Sequence, residues 1–173
     1  LLPFFSLAQD WEAVSSLPEE FHTHHSFAFA IDDVGYIVTG STEFGYSDRS
    51  YKYDPNADEW TQLNDFPGGA RSFAIGDVWD GKAYMGFGTN GNRFRDLWEY
   101  DPATDTWTQL SDCPCAARTH PTMVAHQGKV YVGMGGSANG NLRDWWQYDI
   151  ATDTWEEKAD FPSSPRHHPF QFA

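Results

Sequence analysis

The sequence predicts an all-β fold built from repeated four-stranded units, and three observations carry that prediction. First, the stretch from Tyr84 to Trp107 returns almost in register at Tyr131 to Trp155, and in a more worn form at Tyr36 to Trp60. Trp60, Trp107 and Trp155 are 47 and 48 residues apart, and self-similarity at a fixed period of this size marks a repeat architecture. Second, rings carry the apolar content, with 8 Trp, 8 Tyr and 13 Phe, residues that suit half-buried pleated surfaces. Third, the 15 Gly and 10 Pro fall between short apolar runs, as turns between many short strands require, and no window shows helical spacing.

The chain has 173 residues, enough for one domain with a sizeable core. Its formal charge is −14, from 25 acidic and 11 basic residues. That balance argues against nucleic acid or an anionic membrane surface as the partner, since both reward clustered Lys and Arg. No run of 18 apolar residues exists, so membrane insertion is not expected. Cys113 and Cys115 flank Pro114. A bridge between residues two apart would be strained, and two ligands do not make a zinc site. They are expected to be small turn residues, with a bridge or a redox role as the alternatives.

Residues 1–9 resemble the end of an apolar signal-peptide core, and Ser6-Leu7-Ala8 fits a small-x-small cleavage pattern. The rival reading is a short apolar strand. Residues 10–17, opening on Trp11, match the Trp-to-Pro ends of the later units, so they are expected to form the last strand of a unit. The first complete unit covers 18–66. Its expected strands are His22 to Ile31 and, after the turn Asp32 to Gly35, Tyr36 to Gly40. Asp54-Pro55 then begins a turn between strands three and four. The second unit, 67–113, starts its first strand at Arg71 and turns at Asp80-Gly81. The third, 114–161, starts at Arg118 and turns at Gln127-Gly128. Residues 162–173 are expected to be the first strand of a further unit. Ending there would leave an unpaired edge, so the chain is expected to be a piece of a longer protein.

Each unit carries a Gly pair or its remnant, then Tyr-Asp before a turn, then Trp. This pattern resembles the kelch repeat. Gly135-Gly136 is the intact diglycine, while Gly86-x-Gly88 and Gly40-Ser41 depart from it. Tyr53, Tyr100 and Tyr148 open the Tyr-Asp motif, Trp60, Trp107 and Trp155 close it, and Ile150 stands where the motif has Pro. The resemblance implies a kelch-type β-propeller with four-stranded antiparallel blades, incomplete in this chain. Ring closure needs about four to eight blades. The resemblance therefore implies a whole protein of five to seven blades, with the Trp11 strand completing the last one. Such a protein is expected to be monomeric when full length. Two copies joined in one ring are the alternative.

Two sets of candidate site residues follow from aligning the units. Four residues past each recurring Pro stand His22, Arg71, Arg118 and Arg166, and two further on stand His24, Phe73, His120 and His168. One reading makes His22, His24, Arg71, Arg118, His120, Arg166 and His168 a ring at the channel mouth, suited to a carboxylate or phosphate. The other pairs each Arg with an Asp or carbonyl of the adjoining blade. No carboxylates accompany the His residues at equivalent positions, so no metal site is expected.

The second set lies in the loops between strands two and three: Phe44, Tyr46, Asp48, Asn90, Asn92, Phe94, Asn139 and Asn141. Their rings could stack on sugars and their oxygens could meet a glycan. Turn formation explains the same residues without a ligand. No P-loop, nucleophile elbow or HExxH is present, and no cofactor is expected. Some kelch-like proteins are enzymes, among them a copper radical oxidase and a sialic acid epimerase, but their catalytic residues do not map onto this chain. The sequence therefore points to an exported binding or scaffolding module for a protein or glycan. The alternative is a propeller enzyme acting on an acidic sugar at the Arg/His mouth.

Overall fold

A computed structural model describes residues 12–169. The strands are β1 (Phe27–Ile31), β2 (Val34–Thr42), β3 (Gly45–Asp54), β4 (Glu59–Gln62), β5 (Ile75–Trp79), β6 (Lys82–Gly86), β7 (Leu97–Asp101), β8 (Thr106–Leu110), β9 (Thr122–His126), β10 (Lys129–Gly133), β11 (Gly136–Ser137), β12 (Gly140–Asn141), β13 (Trp145–Asp149) and β14 (Thr154–Lys158). They build three four-stranded antiparallel sheets, β1-β2-β3-β4, β5-β6-β7-β8 and β9-β10-β13-β14, with β11 and β12 pairing in a connection of the third. Among the described residues the only helical element is a 3-10 turn at Glu19–Phe21. The first strands β1, β5 and β9 lie side by side in that order, so they form the inner edge of a fan that does not close into a ring.

The turns follow from their residues. Asp32 and Asp33 both take positive φ, which a two-residue hairpin needs to match strand twist, and Ile31 pairs directly with Val34. Asp80-Gly81 and Gln127-Gly128 do the same in the other sheets. Between strands three and four, the carboxylates of Asp54, Asp101 and Asp149 accept the backbone N–H two residues on, at 2.8, 2.9 and 3.0 Å. The aspartate side chain mimics a backbone turn, so Ile150 replaces Pro without loss of the turn. Tyr53 lies opposite Trp60, Tyr100 opposite Trp107, and Tyr148 opposite Trp155.

Strand starts differ from the sequence reading. The first strands begin at Phe27, Ile75 and Thr122 rather than at His22, Arg71 and Arg118. The intervening residues include His25, Phe73 and His120, each with φ between 52° and 60°, a conformation that breaks a ladder. They keep only isolated bridges, His24 to Ser41, Ser72 to Thr89 and Thr119 to Gly136. Residues 12–18 and 162–169 likewise carry no strand, although Ser15 is bonded to Asp58 and Trp60 and Arg166 to Gly135 and Leu142. Trp11, the expected leader and the last four residues lie outside the described range.

The core sits between sheets rather than within one. Phe27, Ile31, Tyr36, Val38 and Phe66 of the first pack with Ala74, Ala83, Met85 and Tyr100 of the second. Tyr84, Phe87, Leu97 and Cys113 pack with Met123, Ala125, Val130, Val132 and Tyr148 of the third. Gly76 is required at the first joint, because a Cβ there would lie 2.6 Å from the Phe27 ring. Cys113 and Cys115 are joined by a disulfide and are buried, which corrects the expectation of unlinked turn residues. Cys113 donates its N–H to Arg95 O as Phe66 does to Asp48 O and Phe161 to Arg143 O. It therefore occupies a seat that a phenyl ring fills in the other units, and its bridge to Cys115 helps fill that space.

Candidate functional site

Two of the recurring arginines, Arg71 and Arg118, are fully buried, whereas Arg166 is exposed. Arg71 forms two parallel bonds to Asp96, at 2.7 and 2.8 Å, and donates to Phe87 O at 3.1 Å. Arg118 binds Asp144 at 2.7 Å through both nitrogens and donates to Met134 O at 2.9 Å. Asp96 and Asp144 also accept the indole N–H of Trp98 and Trp146, each at 2.8 Å. Burial pushes the Asp144 carboxyl upward, but the Arg118 bonds outweigh it and hold it below the usual range. This is fork-on-fork pairing of the strong kind. Each arginine bolts its own sheet together, with its aspartate in the same unit rather than the adjoining one. Arg71 and Arg118 thus do not open on a channel mouth.

The first unit replaces the bolt. Arg71 N–H meets Ser47 O and Arg118 N–H meets Phe94 O, while Phe66, Cys113 and Phe161 bond one residue further along. That register puts Arg49 where Asp96 and Asp144 stand, and Tyr51 where Trp98 and Trp146 stand. The entry bridges put Thr23, not His22, in the arginine position. Phe21 stacks on Tyr51 at 4.9 Å between ring centres. His22 is exposed instead, near Glu19, Glu20 and Phe44. Arg166 bonds Ser164 O at 3.2 Å and Ser163 Oγ at 2.8 Å, and its carbonyl accepts from Gly135 N as those of Arg71 and Arg118 do from Gly40 and Gly88.

At the inner edge, four rings follow one another. His25 lies 4.1 Å from Phe73, Phe73 4.3 Å from His120, and His120 3.7 Å from His168. The structural equivalent of Phe73 and His120 is therefore His25. His24 instead bridges Ser41; one extra residue in the first unit shifts the alignment. Burial, then the neighbours His168, His167 and His25, push His120 down to about 4. Burial and the adjacent His24 also lower His25. Among the described residues, no cluster of three or more His, Cys, Asp or Glu could hold a metal ion.

The loop residues divide. Phe44 and Tyr46 are open, at 80% and 46% exposure. Phe94 is not: its ring lies 3.8 Å from the Arg71 guanidinium as part of the bolt. Asp48 is half-buried. Asn90 accepts its own loop's Asn92 N–H at 3.3 Å, and Asn141 Oδ1 pairs with His167 Nδ1 at 2.9 Å. An open cleft of about 410 Å3 lies between the loops of the second and third sheets, lined by Gly91, Asn92, Arg93, Ala116, Ala117 and Asn139 among others.

One recurring device escaped the sequence reading. Tyr53, Tyr100 and Tyr148 donate to Asp58, Asp105 and Asp153 at 2.7, 3.0 and 2.6 Å. Those aspartates in turn accept the backbone N–H of Ser15, Asn64 and Ser111 from the preceding segment, at 2.7, 2.9 and 2.8 Å. Trp60 and Trp155 complete the latch by donating to Ser15 O and Ser111 O. The signal was present in the acid that follows each Tyr by five residues. Residues 12–18 thus hold the first sheet as Asn64 holds the second.

Comparison with known proteins matches this geometry. The model of the KLHDC2/KLHL20/DRC7 Kelch-repeats domain matches residues 8–168. The solved structure of YjhT superposes with a TM-score of 0.77 at 18% identity, covering 90% of this chain and 57% of YjhT. The chain thus spans little more than half the length of that protein. A search of curated protein sequences finds no match.

Proposed function

Because the chain belongs to the Kelch-repeat family, whose domains serve in general as protein-binding or scaffolding modules, we propose that it binds a protein or glycan through the end that carries its β2–β3 type connections. The observation that supports this is the open cleft of about 410 Å3 formed where two neighbouring connections meet. Its small Gly and Ala residues admit a partner backbone closely, and Arg93 and Asn139 offer directional polar contacts. The latch aspartates occupy the opposite turns and hold the blades together, so binding residues can vary at one end without loosening the other.

The same reading places the protein outside the cytosol, in an oxidising compartment of the kind where a disulfide such as Cys113–Cys115 persists. It also takes the ring to be completed by further blades in a monomer. The enzyme alternative loses two of the cations it relied on, since Arg71 and Arg118 are consumed by Asp96 and Asp144.

The test places a photo-crosslinking residue at Asn92 or Asn139, and in parallel at Thr104 or Thr152 on the opposite turns. Discrete adducts are expected only from the first pair. Equal capture at both ends would overturn the assignment.

A further inference from the structure

The hairpin that joins β2 to β3 stays within one pair of strands to its tip, where the third sheet has the separate short pair β11 and β12 and the second only the bridge Thr89 to Arg93. In the second and third sheets the paired strands span five residues, whereas β2 and β3 span nine and ten. After an irregularity between Val38 and Gly40 the ladder resumes through Gly40–Ser47, Ser41–Tyr46 and Thr42–Gly45. The hairpin therefore continues past the body of the sheet as paired strand. Its tip is fixed by Thr42 Oγ1, which donates to Gly45 O at 3.2 Å and accepts the Phe44 N–H at 3.1 Å. What this rigid extension displays is Phe44, 80% exposed, the most exposed large apolar side chain among the described residues. A phenyl ring left in water by an ordered turn adds nothing to folding, and aromatic anchors of this kind dominate binding energies.

Around that ring the charge has one sign. Glu19, Glu20 and Glu43 line two adjoining clefts of about 200 and 280 Å3, both of which include Phe44, and the first also includes His22 and Thr42. None of these three carboxylates has an ion-pair partner among the described residues, in contrast to Asp96, Asp144 and Asp160. Isolated exposed pairs contribute little. Three unpaired carboxylates beside an exposed π-face form a different environment: a Lys or Arg can lay its methylene stem on the ring, its cation over or beside the ring, and its N–H groups on the carboxylates.

We propose that the Phe44 hairpin and the Glu19/Glu20/Glu43 clefts form a docking point for a cationic segment of a partner protein, one in which Lys or Arg alternates with apolar side chains. The alternation matches the geometry, since an extended segment of this pattern sends all its cationic side chains to one face, where they meet the acids and the ring together. The net charge of −14 draws such a segment in from solution, so its association is salt-sensitive. This inference rests on the reading of that end of the molecule as the binding surface.

The probe is a fluorescein-labelled octapeptide of alternating arginine and leucine, followed by anisotropy at low and high salt. Binding is expected to weaken about tenfold in Phe44→Ala and at least about tenfold in the triple variant Glu19→Gln, Glu20→Gln, Glu43→Gln. An octapeptide with glutamate in place of arginine should not bind. Phe44 is fully outside the core, so its variant should melt with the parent protein, and unchanged melting separates lost contact from lost fold. A peptide that binds the parent and both variants alike, or fails to bind the parent at low salt, overturns the proposal. The wider reading stands or falls separately, on the crosslinks at Asn92 and Asn139.

Discussion

Asp105 of the second sheet accepts the backbone N–H of Asn64 from the first at 2.9 Å, while its other oxygen accepts the Tyr100 hydroxyl at 3.0 Å. A single carboxylate thus ties a strand pair to the neighbouring blade. Asn64 returns the contact, donating from its side chain to Asp105 O at 2.9 Å. Asp105→Ala leaves the Tyr100 hydroxyl and a backbone N–H without their acceptor, and should cost about 2 kcal/mol in chemical denaturation. Tyr100→Phe removes one bond and leaves the inter-blade contact, so about 1 kcal/mol is expected. Equal losses would show that the latch is not the joint.

Arg118 should behave as a structural residue. Arg118→Ala removes a fully buried guanidinium and leaves the half-buried Asp144 with no counter-ion, a loss of roughly 3 kcal/mol. Arg166→Ala removes exposed bonds to Ser163 and Ser164 and a contact over the Phe161 ring at 5.1 Å, and should cost about 1 kcal/mol or less. The contrast is read from urea midpoints of the two variants. If the two fell together, the bolt around Asp144 would not distinguish them.

The inner ring stack makes stability depend on pH. His120 is held down to about 4 and His25 is also lowered, so between about pH 6.5 and about 4 the unfolded chain binds protons that the folded one refuses. Stability should fall as pH drops through that window and stay flat above it. The groups that face His120 are His25, His167 and His168, with Phe73 between His25 and His120. His120→Phe, copying Phe73, should flatten most of this slope. A parent protein equally stable across the window would refute the account.

Gly88→Ala tests the diglycine position. Gly88 has φ of +87°, and a Cβ would lie 2.5 Å from Ser72 O and 2.7 Å from Ala74 N. Backbone, not a flexible side chain, receives the clash, and the Gly88 N–H also bonds Arg118 O of the next blade at 3.1 Å. A loss of about 3 kcal/mol is expected, with the transition still cooperative.

Much of the fold was legible because the chain repeats itself. Each Tyr and Trp returns at the same spacing, and each turn carries residues whose side chains or φ preferences fix it locally. Asp32-Asp33, Asp80-Gly81 and the Asp101 turn are of this kind. Of the three loop rings singled out from the sequence, Phe44 and Tyr46 are exposed and Phe94 packs on Arg71. What spacing could not show was direction. Arg71 and Arg118 sit where a channel-lining residue could stand, yet their guanidinium groups turn into the sheet. The aspartates that receive them lie 25 and 26 residues away, and only the folded sheet brings these groups within reach. The one-residue offset that makes His25 rather than His24 the partner of Phe73 was hidden for the same reason. So was the Cys113–Cys115 bond, which lies inside an inter-blade core. The sequence by itself determined the architecture, because a repeated local pattern dictates repeated local structure. The tertiary structure decided which charges are buried and which rings face solvent, because burial depends on residues far apart in the chain.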